Sequence, residues 1–242
     1  MTGVLGIITA RGGSKRVPSK NIKDFLGKPL LAWSIETGKA SGVFDRFVLS
    51  TESPEIAEIG KRFGIDVPFM RPVEYASDTS SSFGAIKHAY EWLRDNDGFT
   101  ADRIILLEPP APGRQPFHVR EVVELIGRED IDSVLGVTEL SSQYHPEKIL
   151  KKDSGNMLMR YHDGKLIREG VKRSQEFSKL YFPNASIYAF KPANFYRDPP
   201  SLWGDRVYGY KMEAKYAFDI DTPDDWNIAE YKMRALLNEI LN

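Results

Sequence analysis

Apolar residues fall along this chain in short unbroken runs separated by amphipathic stretches. Val4 to Ala10 is one such run, and continuous apolarity over that length suits a strand buried on both faces. Leu30 to Ala40 spaces Leu30, Leu31, Trp33 and Ile35 as a helix does, and Ser41-Gly42 closes it. Arg46 to Thr51 reads as the next strand. Ser53-Pro54-Glu55 then supplies a capping hydroxyl, a first-turn proline and a carboxylate at a helix amino end. Ile56, Ile59 and Phe63 give that helix one apolar stripe, and Gly64 ends it.

Further on, Ile65 to Phe69 predicts a short extended piece, Ser80 to Arg94 a long amphipathic helix and Arg103 to Leu107 a buried strand. Val119 to Ile126 predicts a helix and Ser133 to Val137 a strand. Strands alternating with helices at this interval imply an α/β fold with a doubly wound sheet. From about 139 to 182 the texture changes. Asp153-Ser154-Gly155-Asn156 and His162-Asp163-Gly164-Lys165 are turn signals between short extended pieces, which predicts a β-rich, hairpin-like insertion within a single 1–242 domain. The doubly wound pattern resumes at Ala185 to Phe190. Tyr216 to Asp221 then leads into a closing helix from about Pro223 to Leu241.

Composition narrows the chemistry. Lys and Arg number 33 against 34 Asp and Glu, a formal charge of −1, so no global field recruits nucleic acid or an anionic membrane and any anion must be held locally. The absence of cysteine excludes a disulfide scaffold, a thiolate nucleophile and cysteine-ligated zinc or iron–sulfur clusters. The opening run meets Arg11 far short of a membrane span and lacks a basic leader, so a soluble, cytoplasmic protein is expected.

The first predicted strand ends in Arg11-Gly12-Gly13-Ser14-Lys15-Arg16, which puts glycines, a hydroxyl and cations where α/β folds bind ligands. Glycines let backbone N–H groups approach phosphate oxygens, and Arg11, Lys15 and Arg16 can neutralise a triphosphate. The spacing is neither the dinucleotide fingerprint nor the Walker pattern. The competing reading is a basic surface turn. At the other end, Asp219 and Asp221 stand two apart, so on an extended segment both side chains point the same way, as for sharing one hard divalent cation. Their competing role is an acidic cap. Asp224 and Asp225 fall in the first turn of the closing helix, where its dipole favours them.

The string Ile-Ile-Thr-Ala-Arg-Gly-Gly-Ser-Lys-Arg-Val-Pro-Ser-Lys-Asn-Ile-Lys at 7–23, with Gly27-Lys28-Pro29-Leu30-Leu31-Ala32-Trp33-Ser34-Ile35 behind it, resembles the opening of the N-acylneuraminate cytidylyltransferases. Their relatives activate other nonulosonic acids and Kdo. Ser50 to Ala57, Pro68 to Pro72 with Asp78-Thr79-Ser80, Asn184-Ala185-Ser186-Ile187-Tyr188 and Phe218 to Asp225 continue the resemblance in order and spacing. It implies a Rossmann-like mixed sheet of the nucleotide-diphospho-sugar transferase type, a β-rich insertion making homodimer contacts, and CMP transfer from CTP to a 2-keto sugar acid for surface glycan assembly. Mg²⁺ is implied as cofactor, with CTP and a sugar acid as the small-molecule partners.

The resemblance carries nucleotide contacts onto Ala10, Arg11, Lys20 and Asn21, and Gly12, Gly13, Ser14, Lys15, Arg71 and Ser80 join them as candidate nucleotide residues, with Arg11, Lys20 and Asp221 in the catalytic roles. Asp219 and Asp221 become the metal pair. Glu108, Arg114, Tyr144, His145, Lys148, Arg173 and Gln175 are assigned to the acceptor. The chain departs from the family pattern in three places. Glu52 stands where Asp is usual, Ser174 where a second arginine is usual, and Glu108-Pro109-Pro110-Ala111-Pro112-Gly113-Arg114 replaces Gln-Pro-Thr-Ser-Pro-Leu-Arg. An amide and an anion do not recognise the same groups. Glu108 therefore points away from ordinary N-acetylneuraminic acid, toward a nonulosonic or octulosonic acid with another, amino-bearing substituent. A CMP-Kdo or CMP-8-amino-Kdo synthetase is the near alternative, and a catalytically silent nucleotide-sugar binding protein the alternative of another class.

Overall fold

Chain order alternates strand and helix: β1 (Gly3–Thr9), a two-residue hairpin of β2 (Asp24–Phe25) and β3 (Lys28–Pro29), α1 (Leu30–Ser41), β4 (Arg46–Ser50), α2 (Pro54–Arg62), α3 (Ser82–Asp97), β5 (Ala101–Leu106) and α4 (Pro116–Ile126). There follow β6 (Ser133–Glu139), the short pair β7 (Leu150–Lys152) and β8 (Leu158–Arg160), β9 (Tyr181–Phe190), β10 (Val207–Lys211) and α5 (Pro223–Leu241). The structure, a computed structural model, describes residues 3–76, 82–169 and 173–241.

Six strands form one mixed sheet in the order β10-β6-β9-β5-β1-β4. β1 pairs parallel with both β4 and β5, and β9 runs antiparallel between β5 and β6. The chain winds from β1 to β4 on one side and returns to β5 on the other, so the order reverses at β1. At such a switch point the loops leaving neighbouring carboxyl ends part and leave a crevice.

Burial explains the unbroken apolar runs. Leu5, Ile7, Ile8, Ile104 and Ile105 are fully buried because helices cover both faces of the sheet. α1 packs with α4 on one face, against Ile8, Ile105 and Val134, while α3 covers the other through Ile86, Ala89 and Leu93. α5 closes a third cluster with Phe25, Leu30 and Trp226, which anchors the β2–β3 hairpin beside the end of the chain.

The caps act as read. Ser53 accepts from the Ile56 N–H at 3.4 Å, and Gly42 adopts the left-handed conformation that ends α1. Two readings change. Ile65 to Phe69 makes only an isolated bridge, Val48 to Asp66, because the chain turns away after one contact with β4. Tyr216 to Asp221, expected as an extended segment, begins in a turn and joins no sheet; it is a connection lying against the 108–114 loop, joined to it by the Ile220 N–H donating to the Pro110 carbonyl at 3.0 Å. Between β6 and β9 the chain leaves the sheet for the β7–β8 hairpin and several single helical turns. Among the described residues no helix is long and apolar enough to cross a membrane.

Candidate active site

A cavity of ≈ 290 Å³ opens at the carboxyl ends of β1 and β5. Arg11, Ser14, Lys15, Arg16, Lys20 and Asn21 line it from the loop after β1. Arg71 and Tyr75 line it from the segment before α3, Glu108 and Pro109 from the end of β5, and Asp221 from the connection to α5.

The basic loop is folded back by its own asparagine. Asn21 is buried and donates through Nδ2 to the Arg11 carbonyl at 3.0 Å, which closes residues 11 to 21 into a ring. Its carbonyl accepts from the Leu31 N–H at 2.9 Å, fixing the ring to α1. Lys20 then reaches the far end of the chain. Its Nζ donates to the Ile220 carbonyl at 2.6 Å and lies 3.2 Å from Asp221, whose other oxygen pairs with Arg16 at 3.0 Å. Cations from the start of the chain and a carboxylate from its end therefore meet at one cavity.

Glu108 stands half-buried on the opposite wall. Its backbone is fixed from behind: the Ser34 hydroxyl donates to its carbonyl at 3.2 Å, and Arg114 approaches the same oxygen at 3.5 Å. Arg114 is 1% exposed, donates to Ser34 and to the Ser186 carbonyl, and so braces the cavity wall from inside the core. Gly113 lies so close to Phe218 and the Tyr216 carbonyl that a Cβ would come within 2.5 Å, which is why the Glu108 loop can lie against the segment carrying Asp219.

The carboxylates raise one another. Burial and then the Asp219 charge push Glu108 up to about 7, and burial followed by the Asp221 charge pushes Asp219 up to about 6. Asp219 Oδ1 is buried without a hydrogen-bond partner among the described residues. Asp225 is spent differently, accepting from the N–H groups of Asp221 and Thr222 at 3.1 and 2.8 Å, and so caps α5.

Of the residues expected at the site, Arg11, Ser14, Lys15, Lys20, Asn21, Arg71, Glu108 and Asp221 line this cavity together. Ala10 is buried at its edge, with its N–H donating to the Ser50 carbonyl at 3.1 Å and its own carbonyl accepting from Arg71 at 3.4 Å. The Gly12 N–H donates to Glu52 at 2.7 Å. Ser80 lies outside the described residues, while its neighbour Ser82 lines the cavity.

Tyr144, His145, Lys148, Arg173 and Gln175 sit in the insertion and do not line the cavity of the single chain. His145 is buried there, stacked on Phe177 at 4.3 Å with Nδ1 accepting from the Glu147 N–H at 3.2 Å. Tyr75 and Glu52 were not singled out as site residues. Tyr75 is an isolated aromatic in a loop, and only its seat against Gly84 and His88 gives it a place on the cavity wall.

Residues 5–108 match the family described as Cytidylyltransferase. Over 93% of its length the chain is 30% identical to the pseudaminic acid cytidylyltransferase of Campylobacter jejuni subsp. jejuni serotype O:23/36, covering 94% of that protein. The chain belongs to the cytidylyltransferase family. It is also 31% identical, over 91% of its length, to an N-acylneuraminate cytidylyltransferase of Streptococcus agalactiae serotype V, of which it spans about half (51%). A solved CMP:2-keto-3-deoxy-manno-octonic acid synthetase complexed with CTP has the same fold, with a TM-score of 0.71 at 17% identity over 97% of this chain and 99% of that one. Family, enzyme class and fold expected from the sequence are thereby borne out, and the cytidylyltransferase cavity lies at the switch point of that fold.

Proposed function

We propose that this cytidylyltransferase transfers CMP from CTP to the anomeric hydroxyl of a sialic-acid-like 2-keto sugar acid and releases pyrophosphate. The observation that carries this reading is the meeting of Arg16, Lys20 and Asp221 across one cavity whose other wall presents Glu108. Names of the relatives, pseudaminic acid and N-acylneuraminate cytidylyltransferase, support the acceptor class.

In such a displacement the acceptor oxygen forms a bond to the α-phosphorus as the bond to the β-phosphate oxygen breaks, and charge accumulates on phosphoryl oxygens. Stabilisation then rests on positioned cations rather than on a covalent intermediate. Arg11, Lys15 and Lys20 face the phosphates from the loop, and the Asn21 ring keeps those side chains on one side of the cavity. Lys20 also fixes Asp221, so a cation and a carboxylate are held 3.2 Å apart before any ligand binds.

The donor set fits a hard divalent cation, because Asp219 keeps a buried oxygen without a partner next to Asp221. Among the described residues no cluster of three or more acidic or histidine side chains is gathered for a metal. Two carboxylates with phosphate oxygens and water suit Mg²⁺. When bound with the nucleotide, Mg²⁺ would neutralise phosphate charge.

The acceptor side is assigned to Glu108, beside which the partner's insertion would stand in a homodimer. The insertion exposes Ile149, Leu150, Met157, Leu158, Leu166 and Ile167, an apolar face that a second copy would cover. The reaction is placed in the cytoplasm, where CTP is made, with neither nucleic acid nor membrane as partner.

Pyrophosphate release with CTP, Mg²⁺ and a panel of nonulosonic and octulosonic acids tests the reading. Release with a nonulosonic acid is expected, and Asp221→Asn should lower kcat by about a hundredfold with the melting temperature little changed. Preference for an octulosonic acid would move the acceptor class. No release with any acceptor, with CTP still bound, would make the protein a silent binding module.

A further inference from the structure

Glu52 belongs to none of the groups assigned above to phosphate, metal or acceptor. It follows β4 by two residues and uses both oxygens. Oε1 accepts the Gly12 N–H at 2.7 Å, and Oε2 accepts from Arg71 Nη2 at 2.5 Å. Arg71 in turn donates to the Ala10 carbonyl at 3.4 Å, and its backbone N–H donates to the Thr51 carbonyl at 2.8 Å. One carboxylate thus ties together the end of β1, the end of β4, the basic loop and the arginine segment.

Two further facts give this tie a direction. The Arg71 side chain is 4% exposed yet lines the cavity, and its Nε has no hydrogen-bond partner among the described residues. A buried guanidinium stripped of its counter-charge is strongly unfavourable, so Arg71 keeps this place only while an anion stands beside it. Burial alone would raise the Glu52 pKa, but the hydrogen bonds from Arg71 and Gly12 outweigh it and hold the group below the usual carboxylate range.

We propose that Glu52 is a positioning residue of the nucleotide site, which sets Arg71 and the Gly12 turn in their binding geometry before the nucleotide arrives. The inference rests on the nucleotide reading of the cavity. Because Glu52 already neutralises it, Arg71 offers the ligand directed N–H donors rather than net positive charge. Neutralising the triphosphate falls to the cations of the loop.

The test compares Glu52→Gln, Glu52→Ala and Glu52→Asp by CTP titration calorimetry, steady-state kinetics and amide exchange at Gly12 in the ligand-free protein. Gln and Ala should raise the Kd and KM for CTP about tenfold or more while kcat stays within about threefold, and should speed Gly12 exchange about tenfold. Asp, which keeps the charge, should return CTP affinity to within about threefold of the unaltered protein. A lowered melting temperature with unchanged CTP affinity would reduce Glu52 to a structural contact and overturn the proposal. Unchanged Gly12 exchange in Glu52→Gln would overturn it as well, and this variant decides the matter if Ala fails to fold. If the unaltered protein binds no CTP, the functional reading fails, whereas Gly12 exchange still reports on the clamp.

Discussion

Glu108 brings a carboxylate to a wall where an amide would offer both a donor and an acceptor. Its backbone is locked by Ser34 and Arg114, so the side chain leaves the end of β5 in a fixed direction. Glu108→Gln should therefore change the ratio of kcat/KM between two acceptors about tenfold or more while leaving the Kd for CTP within about twofold, as measured by competition between sugar acids. A change confined to CTP would place Glu108 outside the acceptor site. At this scale the sequence was legible where a residue's neighbours in the chain determine its role. Arg11, Lys20 and Asn21 belong to one loop, and their grouping survives folding. Arg114 and Glu52 were harder to read. An arginine after a proline-rich turn gives no local sign that the core will enclose it, and a carboxylate after a strand looks solvated until Arg71 is brought beside it.

α4 shows how an element can carry a pH dependence away from the cavity. His118 in its first turn is buried, and Nδ1 accepts the Gln115 N–H at 2.9 Å, so the helix start needs the ring unprotonated there. Burial, then the nearby Arg114 charge, lowers His118 from 6.5 to about 4. The unfolded chain thus takes up this proton at a higher pH than the folded one. The contribution of His118 is complete above about pH 6.5 and is lost as the pH falls toward 4, by up to about 3 kcal/mol. Urea unfolding at pH 7 and pH 4.5 should show His118→Gln losing less stability on acidification than the unaltered protein; equal losses would mean that the ring titrates normally. Elements marked by local chemistry, such as the Ser53 cap and the unbroken β1 and β5 runs, were readable in advance. β10 was not: Val207-Tyr-Gly-Tyr-Lys has little apolar alternation, and it becomes a strand because the edge of β6 is there to pair with it. Ile65 to Phe69 fails for a different reason: β4 offers it the open edge of the sheet, but the chain turns away after the single Asp66 bridge.

The molecule as a whole presents a nucleotide half tightly packed around the sheet and an arm that buries little of its own apolar surface. If a second copy covers the arm, sedimentation at micromolar concentration should give a dimer, and Leu158→Lys should shift it toward monomer with CTP affinity retained. A monomeric unaltered protein would leave the exposed face without this partner. The pairing of Lys20 with Asp221 has a different consequence, one of timing. The two residues are 201 positions apart, so the contact is entirely non-local and costs the chain most of its length in ordering before it forms. At roughly 5–20 residues per second, a ribosome needs about 10–40 s between adding one and adding the other. Through that interval the nascent chain carries its cluster of cations without the carboxylate that answers it. A polypeptide cut short before Asp219 would hold every strand of the sheet yet lack the carboxylate that pairs with Arg16 and Lys20, so the cavity gains its last wall only after the whole sheet has been synthesised.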